Sequence, residues 1–294
     1  MFMMKSKQQG FTLLELLVVI TLLAVLAVGA LVAYEDVGDN AEAAAAANAN
    51  VTLDSAIRTY RAVEKAYPNQ WDSLVTLAGS AIPTLPNAAS AVFGSIPLNV
   101  ANATAVGAAL EAVGIDELQF LNDGTTPATI PPNRQHNEGA NANATEIGID
   151  VPAAFTFVSI VPSGGETGTC AFGGQTLNTA FNGVALAGSA PNRIQNSFND
   201  SLEGDECHLV LALGFGGDAA ASTTSSKVAI SQAPTYTKTT VVNPATDYAR
   251  YIGLFHVAET NAAGNAATAL TKARLVAVIT PDGKVIDDAI AAAQ

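Results

Sequence analysis

One carboxylate in an oily run of chain is the residue whose type and position most demand an explanation. Residues 11–34, FTLLELLVVITLLAVLAVGALVAY, carry a single charged side chain, Glu15. An ionisable group inside a membrane is costly, so Glu15 should have a partner. No Lys or Arg lies in the run to serve as one. A cut after Gly10 would create a cation, the new α-amine of Phe11. That amine reaches the Glu15 of an adjacent copy more easily than its own, so the pattern points to self-assembly triggered by proteolysis.

Other chemistry-bearing residues are sparse. Cys170 and Cys207 are the only cysteines, and in an exported protein such a pair reads as one disulfide, the alternative being two buried thiols. Asp200, Glu203, Asp205 and Glu206 place four carboxylates within seven residues. Calcium could use that density of hard oxygens, although a solvated acidic turn has the same composition. Zinc is not expected, because Cys207-His208 has no second close pair of ligands. His136, His208 and His256 are scattered and read as structural or surface histidines. The glycine pairs lack the lysine of a phosphate-binding loop and the spacing of a dinucleotide site, and no nucleophile elbow or zincin helix occurs. An enzyme is not indicated, and no cofactor is expected other than that calcium.

The element that positions Glu15 is a helix. Residues 11–34 rise about 36 Å as an α-helix, enough to cross a hydrocarbon core of roughly 30 Å. The run is apolar on every face, unlike a buried helix of a soluble protein. Its core is longer than that of a secretory signal, and the small residue Gly10 precedes it instead of following it. Lys5 and Lys7 precede Gly10.

KSKQQG followed by FTLLELLVVI resembles the processing site of the type IV pilin and type II secretion pseudopilin class. That resemblance implies cleavage after Gly10 by a prepilin peptidase, N-methylation of Phe11, and polymerisation with copies of itself through Phe11 and Glu15. It also implies an inner-membrane assembly platform as partner, membrane lipid around the helix before assembly, and a head outside the cytoplasm. The mature location would be an extracellular pilus, or the periplasm for the alternative, a pseudopilin of a type II secretion system. A head of roughly 225 residues is large for a major pseudopilin, and large capping pseudopilins typically lack the glutamate, so the pilus subunit is favoured. Pilins of the class often carry a C-terminal disulfide, and major pseudopilins a C-terminal calcium loop whose spacing this chain does not reproduce.

Beyond residue 34 the helical signal becomes amphipathic. Val37, Ala41, Ala44, Ala47 and Val51 mark one face, and Leu53, Ile57, Tyr60, Val63 and Tyr67 continue it after a small shift. No proline interrupts residues 11–67, and Pro68 marks the stop. One helix of about 55 residues, some 80 Å long, follows. Many relatives have a proline in the apolar half. Here Gly29 stands there instead, so the expectation is an intact helix in the monomer, with any melting in a filament near Gly29. Trp71 is expected to pack back on that helix.

The chain divides into a basic leader (1–10, removed), a transmembrane and assembly helix (11–34) and its amphipathic continuation (35–67). A helix- and loop-rich insertion (68–152) and an antiparallel β-sheet head (153–294) follow. Within the insertion, 103–113 reads as a short helix capped by Asn102 or Thr104, 116–121 as a further helical turn, and 125–143 as an exposed loop. Strands are expected over 154–161, 208–215, 227–231, 248–257 and 274–280, the last turning through Pro281-Asp282-Gly283 into 284–286. The fold class is α+β, a long N-terminal helix packed against a C-terminal antiparallel sheet.

Net charge is −13. Removing Lys5 and Lys7 leaves 11 basic against 26 acidic side chains, or −15. That field disfavours direct binding of nucleic acid. Charged residues are only 13% of the chain, which suits an exported, neutral-surfaced domain better than a cytoplasmic enzyme.

Overall fold

The structure is a computed structural model that describes residues 12–122, 129–164, 170–184, 202, 206–236, 238, 241–260 and 266–285, with the backbone alone at 32, 33, 35, 36 and 39. Its first element, α1 (Leu13–Glu64), is one unbroken helix of 52 residues. It passes through Gly29 and Gly38 without a kink-forming proline. It stops three residues short of the expected Tyr67 because Lys65 adopts a left-handed conformation (φ 63°) and donates its N–H to the Arg61 carbonyl. The chain then turns under the helix end. Tyr67 sits buried there, its hydroxyl accepting from the Leu275 N–H at 2.9 Å.

Ten strands follow: β1 (Trp71–Thr76), β2 (Gly94–Pro97), β3 (Glu117–Leu121), β4 (Ala144–Gly148), β5 (Phe157–Val161), β6 (Ala171–Phe172), β7 (Gln175–Thr176), β8 (His208–Gly214), β9 (Ile252–Glu259) and β10 (Ala266–Ile279). Among the described residues they form one sheet in the order β4-β3-β1-β8-β9-β10-β6-β7, with β5 beside the start of β8 and β2 beside β5. Pairing is mostly antiparallel, but β1 runs parallel to β3, and β10 parallel to β6. The fold class is the expected α+β, a long N-terminal helix with a sheet that is antiparallel apart from these two pairings. Among the described residues the head also has helices α2 (Val100–Glu111) and α3 (Gly217–Ala221) and two short 3-10 turns, Ala89–Ala91 and Pro132–Arg134.

β8 explains the layering. Its HLVLALG sequence is buried at all seven positions. Leu209, Leu211 and Leu213 join the core beneath α1 and α2, whereas Val210 and Ala212 face a second core built on Leu74, Ile82, Leu85 and Phe93. A strand covered on both faces reads as a continuous apolar run.

The second half of α1 lies over the first core. Ala43, Ala46, Ala47, Asn50, Leu53, Ile57 and Tyr60 are buried in one continuous stripe. Val37, Val51 and Val63, expected on the inner face, are exposed instead. The stripe escapes a hydropathy reading because alanines surround it and Asn50, fully buried with neither amide atom partnered, interrupts it. Polar ties hold the helix down: the Tyr251 hydroxyl donates to the Ala46 carbonyl at 2.8 Å, and the Arg58 guanidinium to the Val276 carbonyl at 3.1 Å.

Residues 68–152 are not a helix- and loop-rich insertion, since they supply β1 to β4 of the common sheet. The 116–121 stretch is strand β3, not helix: Leu118 and Phe120 alternate into the first core between β1 and β4. The helix expected over 103–113 is α2, and its cap is Asn99, whose side chain accepts from the Asn102 N–H at 2.9 Å. The expected exposed loop at 125–143 is partly inside. Residues 123–128 lie outside the described residues, but Gln135, His136 and Asn141 are buried. The Asn141 amide donates to the Gln135 carbonyl at 3.0 Å, and the Gln135 amide to the Ile130 carbonyl at 3.1 Å.

Trp71 meets Phe215 and Phe255 edge-on, with ring centroids 5.2 and 4.9 Å away, and presses on the Cα of Gly253, where a Cβ would collide with the indole. Its ring partners come from β9 and from the residue that follows β8, and Trp71 shares the first core with Ala46, Leu53 and Ile57 of α1. No strand forms over 227–231, where the Ile230 N–H is satisfied by the Thr223 hydroxyl at 2.8 Å. The Pro281-Asp282-Gly283 turn is present, with Gly283 at φ 82° and its N–H on the Thr280 carbonyl, but no strand continues through 284 and 285. Residue 286 lies outside the described residues.

Candidate assembly site

The site is built at the first turn of α1. Thr12 is the N-cap in an extended conformation (φ −73°, ψ 151°). The Glu15 N–H donates to the Thr12 hydroxyl oxygen at 3.3 Å, and the Glu15 carboxylate accepts from the Thr12 N–H at 2.9 Å and from its hydroxyl at 3.1 Å. This is a capping box, which satisfies helix-end donors that have no partner within the helix.

Glu15 therefore has a partner within its own chain, a neutral one where a cation was expected. The signal was present as Thr12-x-x-Glu15 ahead of an apolar run. Both donors are neutral and converge on one oxygen, Oε2, so the negative charge is fixed in place but not cancelled. Gly10 and Phe11, the expected cut and the expected cation, lie outside the described residues.

Behind this carboxylate stretches an apolar rod. Leu13–Leu31 has a mean hydropathy of 2.7, and none of it is buried against the rest of the chain. Its large apolar side chains are between 45% (Val18) and 83% (Leu13) exposed. A contiguous surface of this kind marks contact with lipid or protein, not water. Its length and composition match a membrane crossing, and among the described residues no other helix does.

Cys170 and Cys207 form a disulfide with a Cα separation of 5.4 Å, both cysteines buried. It fastens the start of β8 to the chain just ahead of β6. Of the acidic cluster, Asp200, Glu203 and Asp205 lie outside the described residues, and Glu206 is half-buried next to Cys207.

The histidines are less scattered than the sequence implied. His208 and His256 come within 3.1 Å of one another, both buried. His136 is buried too, with Nε2 2.8 Å from the Ser73 carbonyl and Nδ1 4.0 Å from Asp72. Asp72 accepts from the Tyr248 hydroxyl at 2.6 Å. Burial holds the Asp72 carboxyl above its usual range, against the lowering influence of His136, Tyr248 and Arg250. Burial first, and Asp72 second, push the Tyr248 hydroxyl well up, so it stays a donor. These groups brace β1 inside the head.

Comparison with known proteins isolates the same end of the chain. Residues 5–31 match the model of the prokaryotic N-terminal methylation motif. No curated protein and no solved structure matches the chain. The motif points to a structural pilin-type protein and not to an enzyme, and with the bare apolar helix it fits an inner-membrane precursor. The chain thus carries, over residues 5–31, the methylation motif of the type IV pilin and pseudopilin class.

Proposed function

We propose that this protein is the precursor of a structural subunit of a type IV pilus-like extracellular filament. A prepilin peptidase cuts after Gly10, Phe11 becomes the methylated N-terminus, and α1 carries the subunit from the inner membrane into a helical filament of its own copies. The observation that carries this reading is the exposed rod Leu13–Leu31, continuous with a helix whose second half is buried in the head. Such a rod needs lipid before assembly and other rods after it.

The capping box supports a specific role for Glu15. It presents a carboxylate with Oε1 left for a further donor, and the Phe11 amine of a neighbouring copy supplies charge as well as a hydrogen bond. Two features support the orientation. Lys5 and Lys7 favour the cytoplasmic side for the leader, and the disulfide suits a head on the oxidising side.

The test is mass spectrometry of filaments sheared from the cell surface. The expected product begins at a methylated Phe11. A mature chain that keeps residues 1–10 contradicts the reading. Loss of protein secretion on deletion, with no surface filament to lose, replaces it by the pseudopilin reading.

A further inference from the structure

The geometry points to a binding site for a divalent transition cation of the zinc class, formed by His208, His256 and Glu259. His208 Nδ1 lies 3.1 Å from His256 Nε2, and His256 Nε2 lies 3.7 Å from a Glu259 carboxylate oxygen. All three ligand atoms fall within 4.8 Å of one another. Ligands held at about 2.0–2.1 Å on a tetrahedral ion are about 3.3 Å apart, so these separations straddle the required value. Two imidazole nitrogens and one carboxylate oxygen are the donor set of an open zinc site, whereas calcium takes six to eight oxygens.

The strands are shaped to make this cluster. Three residues apart on a regular strand, His256 and Glu259 would project from opposite faces. Between β8 and β9 the register shifts: Leu209 opposes Ala258, but Val210 opposes His256, so β9 carries one extra residue, Val257. Val257 and Ala258 both join the core beneath α1, which returns His256 and Glu259 to the same opposite face. His208 sits directly across from Glu259. A bulge re-aims side chains in this manner.

The frame is rigid. The Cys207 N–H donates to the Thr260 hydroxyl at 2.9 Å, the Thr260 N–H to the Cys207 carbonyl at 2.9 Å, and Cys207 is tied to Cys170. His208 and His256 are 1% and 0% exposed, while the Glu259 side chain is 42% exposed and gives the ion its entry and room for a water as fourth ligand. Arg274 on β10, in register with His256, is the positive charge the ion must outweigh. The ion would staple β8 to β9 beside the disulfide and needs no step in filament assembly.

The experiment is calorimetric titration of the full-length chain in detergent micelles with zinc alone, followed by thermal melting with and without the ion. One zinc per chain should bind and raise the melting temperature. Glu259→Gln, at the exposed ligand, should fold with an unchanged metal-free melting temperature and bind zinc roughly tenfold more weakly or worse. His256→Gln should abolish binding. Should that variant fail to fold, cobalt bound to the native chain supplies the independent readout, an intense visible spectrum of four-coordinate type. No zinc binding to the native chain, equal affinity in Glu259→Gln, or a six-coordinate cobalt spectrum overturns the assignment.

Discussion

The two halves of α1 are one helix in two environments. From Leu13 to Leu31 most side chains are large and branched, and none is buried against the rest of the chain. From Ala43 to Tyr60 the inward stripe begins with small residues, Ala43, Ala46 and Ala47, which let the backbone approach the sheet closely enough for Tyr251 to reach the Ala46 carbonyl. Leu13–Leu31 is nowhere buried against the rest of the chain, and the second half is tied to the head by the Tyr251 hydroxyl, one residue ahead of β9, on the Ala46 carbonyl and by the Arg58 guanidinium of α1 on the Val276 carbonyl of β10. A helix owes most of its stability in a protein to the packing of one face. The second half finds that packing within the chain, and the first must find it in lipid or in other copies.

Mutations in the two halves should therefore separate head stability from assembly. The largest loss of stability is expected beneath the second half: Trp71→Ala, at a fully buried indole, and Ile57→Ala, at a fully buried helix side chain. These should cost about 3–5 and 2–5 kcal/mol respectively. Denaturant unfolding followed by circular dichroism checks both, since Trp71 is the only tryptophan. Cys170→Ser with Cys207→Ser, which opens a crosslink of sequence separation 37, should cost roughly 3–4 kcal/mol in the chain-entropy model. Reduction of the native chain under the same denaturant titration should match it.

A subtler effect is expected at Asp72. Its folded carboxyl holds a proton more tightly than the unfolded value of 3.8, so the folded state binds more protons in that window. This group's contribution is most favourable at acid pH and declines as pH rises through the raised folded value. Asp72→Asn keeps an acceptor for Tyr248 and should remove that decline. The difference in unfolding midpoint between variant and native chain, followed from about pH 4 to 8, isolates it from the other carboxyls. The smallest effect on the head belongs to the first half. Leu17→Ala, at a side chain 52% exposed, should leave head stability within about 0.5 kcal/mol of the native value while lowering filament yield.

What the sequence disclosed divides along the same line. The apolar rod and its lone acid were legible because membrane length and a single charge are strong, local signals, and the disulfide was legible because only two cysteines exist. The inner stripe of α1 was not, because Ala44 on the outside and Ala46 on the inside carry the same hydropathy, and Asn50 sits where an apolar residue is expected. β3 was not legible because ELQFL is too short for its period to separate strand from helix, and its partners β1 and β4 lie far away in sequence. The His208–His256–Glu259 cluster was invisible for a third reason. It depends on a bulge at Val257, which breaks the two-residue alternation that a strand reading assumes. The Thr12–Glu15 capping box, by contrast, is local and legible in the Thr-x-x-Glu spacing ahead of an apolar run.

On the proposed function, Glu15 serves contact between copies and not the fold of one copy. Replacing it by leucine and imaging cell-surface filaments, alongside a melt of the purified chain, tests this most directly. The expected result is a head that melts as the native one does and subunits that remain in the membrane without forming filaments. Filaments of normal number and length from Glu15→Leu would contradict it.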